Sequence, residues 1–404
     1  MINIIKKVFV LLIVLYISAF SQKRIIIFEA DYSKNYMLYA LNDLIRKNIF
    51  LYFDIDIIPN NFIKENNYKI IKSKIKELTI NNNADISVLY DINPYKNGFA
   101  VNYVIFNKEK PREWLERNIY SKEDNLFEAV NKILEDISYY SSISANIKNI
   151  KEDEYVPLIG YYSQKVNNII NDDGSDEDKL YDVFFNFYKE NIYFNMDYLE
   201  YLMIKCDNIK NINLTADNIY KYLGKNNHYS LYSLGCLYYA EYKVNAEAED
   251  IDLSIKNYNK AAEIKKNNHI YYYKIADAYI LKNDYENASK YYGMSINAYD
   301  KDIKIIKDAV YLLRRDMNKN GNIVIEYLKK IISINENDDE ALEELAEIYN
   351  GLGDKYNAEI YYTKLFDAVN YNLYIINNIK PNAVLYDKYI KKRNDVKKIL
   401  ESFN

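Results

Sequence analysis

The apolar residues of this chain follow two periods in succession. From Arg24 to about Ser142 short strand-like runs alternate with helix-like ones, and beyond Asp176 the helical period takes over. "RIIIFEA", starting at Arg24, is a continuous apolar run suited to a buried strand, whereas "YMLYALNDLIRKNI" sets Leu38, Leu41, Leu44 and Ile45 on one helical face. "FDIDII" returns to a period of two, and "YKIIKSKIKELT" is helical again through Ile70, Ile71, Ile75 and Leu78. Ile86, Val88 and Tyr90 alternate, "NPYKNG" supplies a turn ending in Asn-Gly, and Phe99, Val101, Tyr103 and Ile105 alternate after it, which predicts a hairpin. A further strand is expected through "WLERNIY". A helix then follows over "DNLFEAVNKILEDI", with Leu126, Phe127, Val130, Ile133, Leu134 and Ile137 on its apolar face and Asp124 as its cap. The predicted order is βαβαβββα over residues 22–142, helices layered on a mixed sheet.

Three stretches in that order, "NNADISVLYDI", "GFAVNYVIFN", and "ERN" followed by "DNLFEAVNKILEDI", resemble the TolB amino-terminal-like family of periplasmic α/β domains. Where that family has Gly near a strand end this chain has Tyr90, and it lacks the family's first-strand Pro. The resemblance implies protein interaction or assembly in the cell envelope and brings no catalytic residues. Residues 143–175 carry the polar and acidic stretches "NIKNIKEDE" and "NDDGSDED" and read as a linker.

In the helical part, residues 176–404, "IADAYILKNDYENASKYY" from Ile275 matches "LAEIYNGLGDKYNAEIYY" from Leu345 at an offset of 70. Such an offset points to a repeat of half that length, and repeats of ~34 residues are helical hairpins stacked into a solenoid. The residues that carry the match are Tyr272, Ile275, Ala276, Tyr279, Ala288, Tyr292 and Ser295 in one unit, and Leu342, Leu345, Ala346, Tyr349, Ala358, Tyr362 and Leu365 in the other. Both resemble the tetratricopeptide repeat. Two looser units fit beside them: one holds Leu231, Leu234, Gly235, Tyr238, Ser254, Tyr258 and Ala261, with "NAEAEDI" extra in its turn. The other holds Ala309, Leu312, Val324, Leu328 and Ile331, with extra residues around "NKNG". The resulting repeats span 228–267, 269–302, 302–338 and 339–372, with a basic end-cap helix over 383–403. The fold class is α+β, a small α/β domain followed by a tetratricopeptide-like solenoid.

Small residues are expected where two helices of a hairpin cross, because axes approach to ~8 Å only where little side chain intervenes. Gly235, Ala276, Ala288, Ala346 and Ala358 are assigned to that role. The repeat geometry further implies that the first helix of each hairpin lines a concave groove. Candidate groove residues are therefore Tyr232, Tyr239, Tyr273, Asp277, Ile280, Val310, Leu313, Arg314, Glu343 and Glu347. Tyr suits such a surface, since it offers wide contact area, a polar tip and few torsions to order.

The amino terminus adds a compartment. Lys6 and Lys7 precede an apolar run from Val8 to Phe20, shorter than the ~20 residues that span a bilayer, and Ala19 and Ser21 have the spacing of a cleavage site. A signal peptide over 1–21, export to the periplasm or beyond, and no membrane span after cleavage are expected. Cleavage would move the formal net charge from -5 to -7, because residues 1–21 carry two lysines and no acid. That acidity argues against nucleic acid as partner, since phosphate binding needs a concentrated basic surface. Tyr numbers 46, but Tyr, Asn, Ile and Lys share AT-rich codons, so genome composition accounts for the excess without an aromatic ligand. Cys206 and Cys236 lie in helical text, and the sequence leaves their pairing open.

No motif carries chemistry. Asp316, Asn318, Asn320 and Gly321 imitate a calcium loop, but the twelfth position is Tyr327 in place of a bidentate acid, and Glu326 falls one short. His228 and His269 stand in turns without a second ligand at zinc spacing and read as exposed polar residues. Glu343 and Glu344 read as helix surface, and no phosphate-cradling Gly loop or nucleophile turn occurs. The reading is a non-enzymatic binder of a protein or peptide segment, with no cofactor and no metal. Alternatives are an envelope enzyme that uses the repeats as a docking arm, or a structural link between membrane and cell wall.

Overall fold

The computed structural model describes residues 23–29, 36–53, 56–58, 68–96, 98–122, 126–141, 161–165, 177–188, 190–206, 208–378 and 382–403. The expected signal peptide, the Asp124 cap and most of the 143–175 linker lie outside them. The chain is mostly helical with a small sheet, and it forms two compact units, Met1–Asn268 and His269–Asn404.

The first unit opens with β1 (Arg24–Glu29), α1 (Tyr36–Tyr52), β2 (Asp56–Ile58), α2 (Tyr68–Asn81), β3 (Ile86–Tyr95), β4 (Gly98–Asn107), β5 (Trp114–Lys122) and α3 (Leu126–Ser141). The sheet order is β2-β1-β3-β4-β5, parallel among the first three and antiparallel through the last three. β1 has no alternation because both of its faces are covered: Ile25, Ile26, Ile27 and Phe28 are all buried. In α2 the inward stripe is Ile71, Ile75 and Thr79, whose hydroxyl meets that of Ser87 on β3 at 2.6 Å, while Ile70 is turned outward. The expected six-residue turn is shorter than predicted. Strand pairing continues through Asn93, Pro94 and Tyr95 until Tyr95 faces Gly98, and Lys96 takes the left-handed conformation at φ 50°.

The same unit continues with a helical turn over 161–165, then α4 (Glu177–Tyr188), α5 (Ile192–Lys205), α6 (Ile209–Leu223), α7 (His228–Asn245) and α8 (Ala248–Ile264). Asn191, Asn208 and Asn227 cap α5, α6 and α7 by accepting backbone N–H bonds. Gly235 and Ser254 are buried between α7 and α8, and the Ser254 hydroxyl donates to the Gly235 carbonyl at 2.9 Å. "NAEAEDI" is not a long turn: α7 extends to Asn245, Ala246 adopts φ 57°, and α8 starts at Ala248, so most of the extra residues lengthen the helices.

This unit extends well past the composition break at residue 142 because α1 is buried on both sides. Lys47 pairs with Asp43 at 2.6 Å and with Asp197 of α5 at 2.7 Å, and Lys165 meets Asp197 at 2.8 Å. Lys47 also donates to the Tyr193 carbonyl, and Lys265 donates to the Phe53 carbonyl at 2.6 Å. His228 is not an exposed turn residue. It begins α7, is only 6 % exposed, and stands edge-on to Phe50 at 5.0 Å. Burial, reinforced by Lys265, pushes its pKa down to about 3, so the ring is neutral.

Among its described residues the second unit has helices and no strand: α9 (His269–Leu281), α10 (Tyr285–Ala298), α11 (Ile303–Leu313), a 3-10 turn (Arg314–Asp316), α12 (Met317–Ile334), α13 (Asp339–Gly351), α14 (Lys355–Asn378) and α15 (Ala383–Glu401). Its hairpin turns repeat the chemistry of the sequence match. Asn283 at φ 58° and Gly353 at φ 76° end the first helices, and Asp284 and Asp354 cap the second ones. In both, the capping Asp N–H donates to the carbonyl of a Tyr, 279 or 349, at 3.0 Å. Each of those tyrosines stacks on a tyrosine of the second helix, Tyr291 or Tyr361, at 5.6 Å. Ala276, Ala288, Ala346 and Ala358 are all at 0 % exposure. "NKNG" is helix rather than turn: Asp316 accepts from Lys319 N as the cap of α12, so its carboxylate is engaged in helix initiation. His269 also differs from its expected exposure. It is half-buried against Tyr299 at 5.0 Å, and burial lowers its pKa to about 4.

Candidate binding cleft

α11 and α13 are first helices of successive hairpins, each started by a capping aspartate, Asp302 or Asp338. The period of α11 turns Ile306, Ala309, Val310 and Leu313 inward and leaves Lys307, Tyr311 and Arg314, spaced four and three apart, on the adjoining stripe. Between α11 and α13 lies a cleft of about 270 Å³. Val310, Leu328, Ile331 and Ala341 give it an apolar floor. Its walls are polar: Lys307, Asp308, Tyr311 and Arg314 on one side, Glu340 and Glu344 on the other.

The wall residues interact across one repeat length. Lys307 lies 2.8 Å from Glu340 and 3.0 Å from Asp338, and Arg314 Nε lies 3.0 Å from Glu344 Oε1. Tyr273 of α9 donates to Asp308 at 3.0 Å. Burial opposes the charge of Lys307, but hydrogen bonds to Glu340 and Asp338 outweigh it and hold its pKa above the ordinary value. At Glu344 burial wins over Arg314 and the carboxyl is pushed up. Tyr311 is 74 % exposed at the rim.

The residues proposed for a groove are divided between the two compact units. Tyr232 and Tyr239 belong to the first compact unit and the other eight to the second. Tyr232 is corrected to a core residue: it is 6 % exposed, with Tyr229 and Tyr258 rings at 5.4 and 5.7 Å. Val310 and Leu313 are core residues too, Val310 serving as cleft floor, because α11 packs its inward stripe on α12. Tyr239, Tyr273, Asp277 and Ile280 are half-buried. Asp277 accepts from the Tyr292 hydroxyl at 3.0 Å, and burial raises its pKa to about 6. Arg314 and Glu347 are exposed, while Glu343 pairs with Lys392 at 2.8 Å. Glu344, read from sequence as plain surface, has a side chain only 18 % exposed. Lys307, Asp308, Tyr311 and Glu340 were missed as well. Their signal was available: Tyr273 and Asp308, or Lys307 and Glu340, are separated by about one repeat and carry complementary groups.

A cluster of titratable groups surrounds Asp197 in the first unit, with Lys47, Lys165 and Asp43 beside it and Glu200 raised to about 7, chiefly by burial. Burial disfavours the charge of Asp197, but Lys165 and Lys47 overcome that and hold its carboxyl well below the usual range. Both lysines are held above theirs by Asp197 and Asp43 against the same burial. Tyr161 donates to Asp197 at 2.7 Å and Tyr162 to Asp43. The Cys206 thiol donates to the Met203 carbonyl at 2.9 Å, and Cys236 accepts from the Tyr258 hydroxyl. Among the described residues no His, Cys, Asp and Glu group is arranged to hold a metal ion, and no helix is long and apolar enough to cross a membrane.

No family model and no curated protein matches this chain. Solved structures similar in part include the crystal structure of MamA protein, 17 % identical over 43 % of this chain and 95 % of that one, with a TM-score of 0.29. YrrB, described as a TPR protein with an unusual peptide-binding site, is 17 % identical over 40 % of this chain and 86 % of that one, with a TM-score of 0.27. MamA 41-end from Desulfovibrio magneticus RS-1 is 14 % identical over 41 % and 95 %, with a TM-score of 0.27. Likenesses this loose decide neither site nor function.

Proposed function

We propose that this protein is an exported, non-enzymatic scaffold whose tetratricopeptide-type hairpins hold a segment of a partner protein against the first helices of the second unit, in the service of envelope assembly. The observation that carries this reading is the cleft between α11 and α13. It has an apolar floor, polar walls and an exposed Tyr311 at the rim, the composition of a surface that anchors one side chain and hydrogen-bonds around it. Rigid stacking of α11, α12 and α13 around one core keeps the cleft preformed and lowers the ordering cost of binding. Export is supported by the charged and apolar amino terminus, and the α/β layer is the part proposed to contact other envelope proteins through its TolB-like resemblance.

The test is affinity capture from envelope extracts of the native cell, comparing the whole chain with a Tyr311→Ala, Arg314→Ala double variant. The expected result is a partner retained by the first and lost by the second. Equal capture by both, with the variant folded, would remove the cleft from the interaction. Intact mass of the protein recovered from that cell is expected to place the mature start at Gln22.

A further inference from the structure

We infer that the cleft between α11 and α13 is a specificity pocket for one cationic side chain, a Lys or Arg of the bound segment. The inference rests on the peptide-binding reading above and adds the chemical class of the anchor. Three carboxylates line the cleft, Asp308, Glu340 and Glu344, against two cations, Lys307 and Arg314, which leaves a surplus of one negative charge, and the buried Asp338 stands behind Lys307. The floor is purely aliphatic, Val310, Leu328, Ile331 and Ala341, and so matches a methylene stem rather than a polar one.

A second observation points the same way. Glu344 Oε1 is shut off from solvent without an aligned hydrogen bond, although Arg314 Nε stands 3.0 Å away. A buried carboxylate oxygen in that condition carries a desolvation cost that an incoming N–H donor would relieve. An acidic side chain or a carboxyl terminus would instead meet Asp308, Glu340 and Glu344. Lys307 is already shared between Asp338 and Glu340, so it has little left to offer an anion.

The experiment pans a random heptapeptide display library on the whole chain, then measures synthetic copies of the selected peptides by titration calorimetry. A Lys or Arg fixed at one position is expected. Replacing that Lys by norleucine, which keeps the stem and removes the charge, is expected to weaken binding about tenfold or more, the effect of one charge-assisted hydrogen bond. Glu344→Gln in the protein is expected to do the same, and the two changes together to cost little more than either, because both remove one interaction. Glu340→Gln is exposed and should fold without change; a loss of several-fold there keeps the test sound should Glu344→Gln prove unstable. Peptides that bind well yet are indifferent to norleucine, Glu344→Gln and Glu340→Gln would overturn the cationic pocket and leave peptide binding standing. No enrichment of any peptide would overturn both.

Discussion

Asp197→Asn removes one charge from the centre of the buried network and keeps the side chain's size. In the native protein that carboxylate receives Lys47 at 2.7 Å, Lys165 at 2.8 Å and the Tyr161 hydroxyl at 2.7 Å. After the change Lys47 retains Asp43 at 2.6 Å and the Tyr193 carbonyl, whereas Lys165 loses its ion pair and keeps, among the described residues, the amide oxygen at 197, the more distant charge of Asp43 and the ring faces of Tyr161 at 5.5 Å and Tyr39 at 5.9 Å. One buried charge thus loses its direct ion pair, and breaking a buried pair from one side costs ~3–5 kcal/mol. The Lys165 side chain is 19 % exposed and can lean toward water, so the lower end, about 3 kcal/mol, is expected. Set against a typical total of ~5–15 kcal/mol, that is a large share of the first unit's stability. Urea unfolding followed by far-UV circular dichroism reads it as a shift in midpoint. Adding Lys165→Met should restore part of the loss, because an apolar residue replaces the orphaned charge. A shift equivalent to less than ~1 kcal/mol, or no recovery in the double variant, would refute the view that this network ties α1 to α5.

Other perturbations have definite outcomes. The Asp197 carboxyl titrates below its unfolded value of ~3.9, so its stabilisation is complete above pH ~4 and is lost as pH falls further; in Asp197→Asn that acid limb of the stability profile should flatten. Asp277 has the opposite sign: burial raises it to about 6, so the folded state holds its proton more tightly and stability falls as pH rises from ~4 to about 6. Asp277→Asn should abolish that decline in thermal midpoints measured across the interval. Gly235→Ala would put a methyl 2.5 Å from Cδ1 and Cε1 of the buried Tyr258, and overpacking of ~1–3 kcal/mol should exceed the ~1 kcal/mol gained in helix propensity. Gly293→Ala, with nothing within 4 Å, should stabilise, and the pair of denaturation midpoints moving the same way would contradict the close-approach argument. Ala346→Leu should cost ~1–3 kcal/mol by overpacking while the neighbouring Glu347→Leu, on the exposed side, changes little in the same melt.

The element order of the α/β layer was legible because each strand and helix carries its own period, and β1's unbroken apolar run correctly implied cover on both faces. Turn positions were less legible where pairing or helix propagation could absorb residues, as at Asn93 to Tyr95 and at "NKNG". Inside and outside were confused for Tyr232 and Val310 because a first helix in a stacked array has two apolar boundaries, and position in the repeat does not say which side is wet. His228, Lys47 and Asp197 were invisible as partners: their meeting depends on packing between distant segments, and a polar residue offers no periodic signal for that.

The separations bridged by Lys47 and Lys265 bear on the order in which the chain can finish folding. Their bonds to Tyr193 and Phe53 join residues 146 and 212 apart, whereas the ties between neighbouring hairpins in the second unit, such as Tyr273 to Asp308, span 35. Local ties form early and distant ones late. A chain delivered from its amino terminus would therefore hold the underside of α1 open until α8 has emerged, so the portion made first is among the last to close.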